Sequence, residues 1–141
     1  MSAETHLKYV LQGTSWVAEA DSQIVGFLCA EAAERDFHIW ELDVRREWQG
    51  NGIGRKLMKA AIEHAHNNEF NSVTLTTFIG VPWNESFYHS LGFEIIEKDK
   101  LDSRLKDVLR AEIQHGLPGN LRCAMRLSIS HHLQQIDRQN P

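Results

Sequence analysis

The sequence predicts a mixed α/β (α+β) fold: a central mixed sheet that begins with antiparallel hairpin strands, continues in a parallel pair, and carries helices on both faces. Three observations predict it. Between Thr14 and Val44, three β-rich segments follow one another with only short polar turns between them, the pattern of an antiparallel meander. The third runs into a turn with glycines at positions 50, 52 and 54, after which the apolar spacing becomes helical. Another strand-like segment, Ser72 to Phe78, follows that helix. A strand–helix–strand passage makes its two strands parallel, with a right-handed crossover.

Taken in order, residues 4–12 suit a short helix with Leu7, Val10 and Leu11 on one side. Thr14 to Ala20 alternates as a strand, Asp21-Ser22 is a turn, and Gln23 to Glu31 is the returning strand, rich in β-branched and aromatic residues. Gly26 inside it marks a bulge or a close packing contact. Glu34-Arg35-Asp36 is a charged turn into the strand Phe37–Val44. A helix over about 52–67 presents Ile53, Leu57, Ala60, Ala61, Ile62 and Ala65 as an apolar stripe. Beyond Ser72–Phe78, Pro82 opens a second helix over about 83–91, Gly92 stops it, and Phe93–Glu97 returns as a strand. Residues 102–115 are amphipathic, with Asp102 or Ser103 as cap and Gly116 and Pro118 as the end. Leu105, Leu109 and Ile113 are expected to be buried. Leu121–Ile129 reads as a last strand, and 131–141 as a polar tail.

Composition bounds the function. At 141 residues, 42% hydrophobic and 24% charged, the chain has about the size and make-up of one soluble domain. A net charge of −4 gives no support for a nucleic-acid surface. No apolar run reaches membrane-spanning length and the N-terminus has no signal-peptide pattern, so a cytoplasmic protein is expected. Cys29 and Cys123 lie in apolar strand-like runs and read as buried thiols. His64 and His66 sit two apart on a helix and diverge, and no Cys/His spacing suits zinc, so no metal is expected.

Chemistry concentrates in ELDVRREWQGNGIGR, residues 41–55. A strand, a glycine turn and a helix start together make an anion site, because the first helical turn leaves backbone N–H groups without partners and carries partial positive charge. The glycine spacing fits neither G-x-G-x-x-G nor G-x-x-x-x-G-K-[ST]. It does fit Q-x-x-G-x-G, supplied by Gln49, Gly52 and Gly54. A second motif lies in WNESFYHSLGFEII, residues 83–96, where a short helix ends in Tyr88, Leu91, Gly92 and Phe93.

The two motifs, in this order and at this distance, resemble the GNAT superfamily of acetyl-CoA-dependent N-acetyltransferases, over about residues 14–96. The resemblance implies a single GNAT-like domain over residues 1–130 and acetyl-CoA as co-substrate. It implies that the strand ending at Val44 and the strand Ser72–Phe78 splay apart, so that Leu42, Asp43 and Val44 offer backbone groups to the pantetheine arm. It further implies that Gln49, Gly50, Asn51, Gly52, Ile53, Gly54, Arg55 and Lys56 surround the pyrophosphate. Asn84, Phe87 and Tyr88 would lie along the CoA arm. Three features depart from the family. The chain preceding Thr14 is short for the usual strand and two helices. The positions of the usual Asn and Ala in the second motif hold Val81 and Asn84. A helix over 102–115 stands where many members have a simple hairpin.

Acetyl transfer needs a neutral amine, a polarised thioester carbonyl and a stabilised leaving thiolate. A backbone N–H at Val44 could serve the carbonyl, and the motif places Tyr88 as general acid near the sulfur. Glu41 and His38 are the candidate bases. Their odd separation puts them on opposite faces of a regular strand unless a bulge intervenes. The acceptor is expected to be a primary amine of a small molecule or peptide. A non-catalytic acyl-CoA-binding module and a half-site completed by a partner subunit are the other readings. A homodimer is expected, through the 102–115 helix or the sheet edge at Thr14–Ala20, because an open edge needs cover.

Overall fold

The computed structural model describes residues 3–79, 82–116 and 122–129. Val81, Leu121 and the tail at 131–141 lie outside them. Among the described residues, six strands and four α-helices follow in the order α1 (Ala3–Gln12), β1 (Ser15–Ala20), β2 (Gln23–Ala33), β3 (Asp36–Val44), α2 (Ile53–Asn67), β4 (Ser72–Phe78), α3 (Pro82–Ser90), β5 (Glu94–Ile95), α4 (Ser103–Gln114) and β6 (Arg122–Ser128). The sheet is mixed, in the order β1-β2-β3-β4-β6-β5, with antiparallel strands and one parallel pair. Contacts gather into two compact units. One runs to Val73 and takes in Ile129; the other is Thr74–Ser128.

In the first unit, β1, β2 and β3 form the expected antiparallel meander. The β1–β2 turn places both Asp21 (φ 52°) and Ser22 (φ 62°) in the left-handed region, which matches the twist of a tight hairpin. Two bulges interrupt the ladders. Ala18 pairs with Gly26 but Glu19 with Ile24, so Val25 is the extra residue on β2. Cys29 pairs with Glu41 but Ala30 with Ile39, so Trp40 is the extra residue on β3. Gly26 is required by close approach as well. A Cβ there would come 3.0 Å from the Asp43 carbonyl oxygen and 3.3 Å from both Ile53 Cγ2 and Leu57 Cδ1.

Helices cover both faces of this meander. On one face α2 buries Leu57, Met58, Ala61 and Ala65. Its His64 ring lies 5.3 Å from Trp16 and 5.1 Å from Phe37. On the other face lies α1, tied by Lys8 to Glu31 at 3.1 Å. The start of β4 is anchored to the start of β3: the Asn71 N–H donates to the Arg35 carbonyl at 2.8 Å, and the Ser72 hydroxyl to Asp36 Oδ1 at 2.5 Å.

In the second unit, α4 starts one residue later than the sequence suggests. The Asp102 carboxylate caps it, accepting from the Leu105 N–H at 2.8 Å. Leu105 is fully buried and Leu109 partly, but Ile113 is 51% exposed, contrary to expectation. The reason is that the C-terminal half of α4 flanks an open groove. β5 spans only Glu94–Ile95, shorter than the expected Phe93–Glu97, and is followed by a 3-10 turn at Lys98–Lys100. Both cysteines are buried free thiols, as expected. Among the described residues no helix is long and apolar enough to cross a membrane, and no cluster of three His, Cys, Asp or Glu side chains could hold a metal.

Candidate active site

The glycine turn after β3 leads into the start of α2. A 3-10 turn at Arg46–Trp48 carries the chain from β3 to Gln49. Gly50 (φ 86°) and Gly52 (φ 78°) adopt left-handed backbone, which costs a residue with a Cβ about 1–2 kcal/mol. Beyond the positions a Cβ would take at either glycine, nothing lies within 4 Å. Gly52 is the N-cap of α2 and supplies no side-chain cap, so the first-turn N–H groups of Ile53, Gly54 and Arg55 receive no capping side chain from it. The first turn of α2 holds no acid, and Arg55 and Lys56 occupy it instead. Cations oppose the helix dipole there, and a bound anion reverses that penalty. The donor set therefore fits a pyrophosphate.

The remaining loop residues divide between holding the loop and facing outward. The Gln49 side-chain amide donates to the Val44 carbonyl at 3.1 Å, which ties the turn back onto the end of β3. Asn51 Nδ2 donates to the carbonyls of Trp48 at 3.0 Å and Gln49 at 3.4 Å. In the conformation seen, both side chains brace the turn rather than project from it. Asn51, Ile53 and Lys56 also line a cavity of about 460 Å³ that extends to Trp16–Ala20 of β1. Leu42, Asp43 and Val44 are not among its walls, so this cavity is not a path along the end of β3.

The bulge at Trp40 decides where the two candidate bases point. Phe37 pairs with Ala32 and touches α2, so His38, opposite Glu31, faces α1. A regular strand would turn Glu41 toward α2. With one extra residue inserted, Glu41 instead pairs with Cys29, on the same face as Glu31. His38 and Glu41 thus share the α1 face. His38 is 1% exposed, while Glu41 is half-buried.

Several further residues gather on this face that sequence reasoning missed. Trp40 Nε1 donates to Glu31 Oε1 at 2.9 Å, and its ring stands edge-on to His38 at 4.4 Å. Glu31, engaged by both Trp40 and Lys8, is a structural carboxylate; Glu41 is committed to neither. Burial holds the Cys29 thiol up at about 11, with the Glu41 charge adding to it. Burial also raises the Tyr9 phenol, followed by the charges of Glu31 and Cys29. The sequence signal for this cluster is Glu31, His38 and Glu41 set among the apolar residues of β2 and β3, and the bulge at Trp40 breaks their alternation.

In the second unit, Asn84, Phe87 and Tyr88 are half-buried on α3. The Tyr88 ring sits 5.2 Å from Phe87 and 5.9 Å from Phe93. Its carbonyl accepts from the N–H groups of Leu91 at 3.1 Å and Phe93 at 3.0 Å, which closes the helix into β5. Burial raises the Tyr88 phenol above its ordinary value, against a smaller opposing pull from Arg122. A phenol held protonated in this way is suited to donate rather than to accept a proton. Burial also lifts the Cys123 thiol to about 11, with Glu85 adding to the rise and Arg122 opposing it.

Comparison with known proteins identifies the family. The family model described as the acetyltransferase (GNAT) domain matches residues 12–95, more than half of the chain. N-acetyltransferase 8 of Rattus norvegicus is 26% identical over 113 residues, covering 74% of this chain and 51% of the relative. N-acetylaspartate synthetase of Danio rerio is 26% identical over 126 residues, covering 88% of this chain and 42% of the relative. The chain thus spans about half the length, or less, of these curated relatives. The structure of PaiA N-acetyltransferase from Thermoplasma acidophilum in complex with coenzyme A superimposes with a TM-score of 0.68 at 17% identity, over 90% of this chain and 71% of that one. By fold, by the glycine turn and by the family match, this chain belongs to the GNAT acetyltransferase family.

Proposed function

We propose that the chain is an acetyl-CoA-dependent N-acetyltransferase acting on a primary amine of a small molecule or peptide. The observation that carries this reading is the start of α2, where Gly52 offers no side-chain cap and Gly50 and Gly52 adopt left-handed backbone with, among the described residues, open space in front of them. Acetyl-CoA supplies an activated acetyl group. The amine nitrogen attacks the thioester carbonyl carbon, the new C–N bond forms, the C–S bond breaks, and the amine's extra proton must leave.

Within this reading Glu41 takes that proton, directly or through a water, because it is the half-buried carboxylate on the α1 face that, among the described residues, no cation engages. His38 is too enclosed to meet an incoming amine and acts as a positioning residue through Trp40. Tyr88 protonates the departing thiolate, a role that its raised phenol supports. The backbone N–H of Val44 polarises the carbonyl. The curated relatives' names, N-acetyltransferase and N-acetylaspartate synthetase, support an amine acceptor. A mass-spectrometric screen of amines incubated with the chain and acetyl-CoA tests the proposal. An acetylated product is the expected result, and intact acetyl-CoA across amino acids, polyamines and peptides would oppose it.

The homodimer remains part of the proposal. Its support is the apolar surface beside the β1 edge: Val17 is 54% exposed, and Leu7, Val10 and Leu11 form an uncovered stripe on α1. Light scattering should give twice the chain mass at micromolar concentration, and a monomer throughout that range would remove this part.

A further inference from the structure

The second unit contains a cavity to most of whose walls the acetyl-transfer reading gives no role. α4, β5 with the turn that follows it, and the start of β6 enclose about 460 Å³, within the range of small-molecule sites. Its body is aliphatic: Ile79, Ile95, Ile96, Leu101, Leu109 and Ile113 line it. Three of these are large apolar side chains that the fold leaves uncovered, with Ile79 38%, Ile95 39% and Ile113 51% exposed. Apolar residues exposed together in a concavity mark a binding surface more often than residues scattered singly.

The rim has a definite charge. Lys98, Lys106, Arg110 and Arg122 line the groove against a single carboxylate, Glu97, in a chain whose net charge is −4. Arg122 is already engaged. It pairs with Glu112 at 2.6 Å, donates to the Thr76 hydroxyl at 2.9 Å and lies 4.7 Å over the Phe78 ring. Arg110 touches Asp107 at 3.3 Å, but both groups are well exposed, and such pairs exchange readily for a better partner. Lys98, Lys106 and Arg110 are therefore the cations placed to meet an anionic head. No aromatic ring is among the described lining residues. Aliphatic walls favour an alkyl body over a flat nucleobase, which takes its affinity from stacking.

We propose that this groove is a second ligand site, for a medium-chain alkyl carboxylate whose tail lies on the isoleucines and leucines and whose head meets Lys98, Lys106 and Arg110. The proposal does not rest on the acetyl-transfer reading.

Titration calorimetry of the full chain with hexanoate, octanoate and decanoate, kept below micelle formation, tests it. One site per chain is expected, with affinity rising up to roughly fourfold per methylene as apolar surface is buried. Octylamine should bind at least about tenfold more weakly than octanoate, since it meets like charge. The double substitution K106E/R110E should weaken octanoate at least about tenfold, while circular-dichroism melting shows the fold intact. Ile113→Asn, on the exposed wall, should flatten the dependence on chain length. The proposal is overturned by the absence of saturable binding to millimolar octanoate, by equal affinity for octylamine, or by a folded double variant that binds like the parent. It is also overturned if the groove variants dissociate a dimer without affecting octanoate, because the groove would then serve a second copy of the chain.

Discussion

Tyr88 shows how one side chain's surroundings select its chemistry. Packed between Phe87 and Phe93, its phenol is desolvated and its pKa rises. Tyr88→Phe removes one oxygen and leaves that ring packing in place. Acetyl-CoA affinity should therefore stay within a few-fold of the parent, while kcat falls roughly 10²-fold, the lower end for loss of a general acid. Because protonation of the leaving thiolate occurs only in the transition state, kcat and kcat/KM should fall together in steady-state assays. Turnover at the parent rate, with chemistry shown to be rate-limiting, would take the acid role from Tyr88. Glu41 owes its orientation to a neighbour: without Trp40 as an extra residue, it would turn to the α2 face. Neither the bulge nor the Trp40–Glu31 hydrogen bond has a local sequence signature, which is why the sequence puts His38 and Glu41 on opposite faces unless a bulge intervenes.

At the scale of elements, the first unit is set by how closely β2, the end of β3 and α2 approach at Gly26. Gly26→Ala would place a methyl 3.0 Å from the Asp43 carbonyl, a backbone atom that cannot step aside cheaply. Overpacking of this kind costs about 1–3 kcal/mol. We expect that loss in the urea midpoint, together with weaker acetyl-CoA binding, because the strain falls on the first turn of α2 through Ile53 and Leu57. An unchanged midpoint would show that the contact relaxes freely. Long periodic elements were legible in the sequence. β4 falls on Ser72–Phe78 as expected, and α2 starts at Ile53, one residue after the expected boundary, behind the glycine that caps it. Met58 is fully buried on α2 as well, although it is not part of the apolar stripe read from the sequence. The end of α4 was less legible. Ile113 has the spacing of a core residue, but periodicity reports which side of a helix is apolar and cannot report how far the opposing wall extends.

For the molecule as a whole, the buried thiols and phenols set an alkaline limit. Cys29 and Cys123 are both raised from 9.0 to about 11, and Tyr9 and Tyr88 are raised above 10.0. In each case the folded state holds its proton more tightly than the unfolded chain. Their contribution is therefore fully present below pH 9 and is lost as pH rises through 11, so the chain should destabilise across that window. Urea denaturation from pH 7 to pH 11 should show a falling midpoint above about 9, the ordinary thiol range. A midpoint that stays flat to pH 11 would mean that these groups titrate alike in both states.

The central claim is that the start of α2 holds acetyl-CoA through its backbone. Titration calorimetry of acetyl-CoA into the parent and into Gly52→Glu, with both proteins checked for folding, addresses it most directly. The parent should bind with a dissociation constant on the order of micromolar or tighter. Gly52→Glu should not bind measurably, because it sets a side chain and a negative charge where the pyrophosphate must lie. Binding of equal affinity by the folded variant would contradict the account.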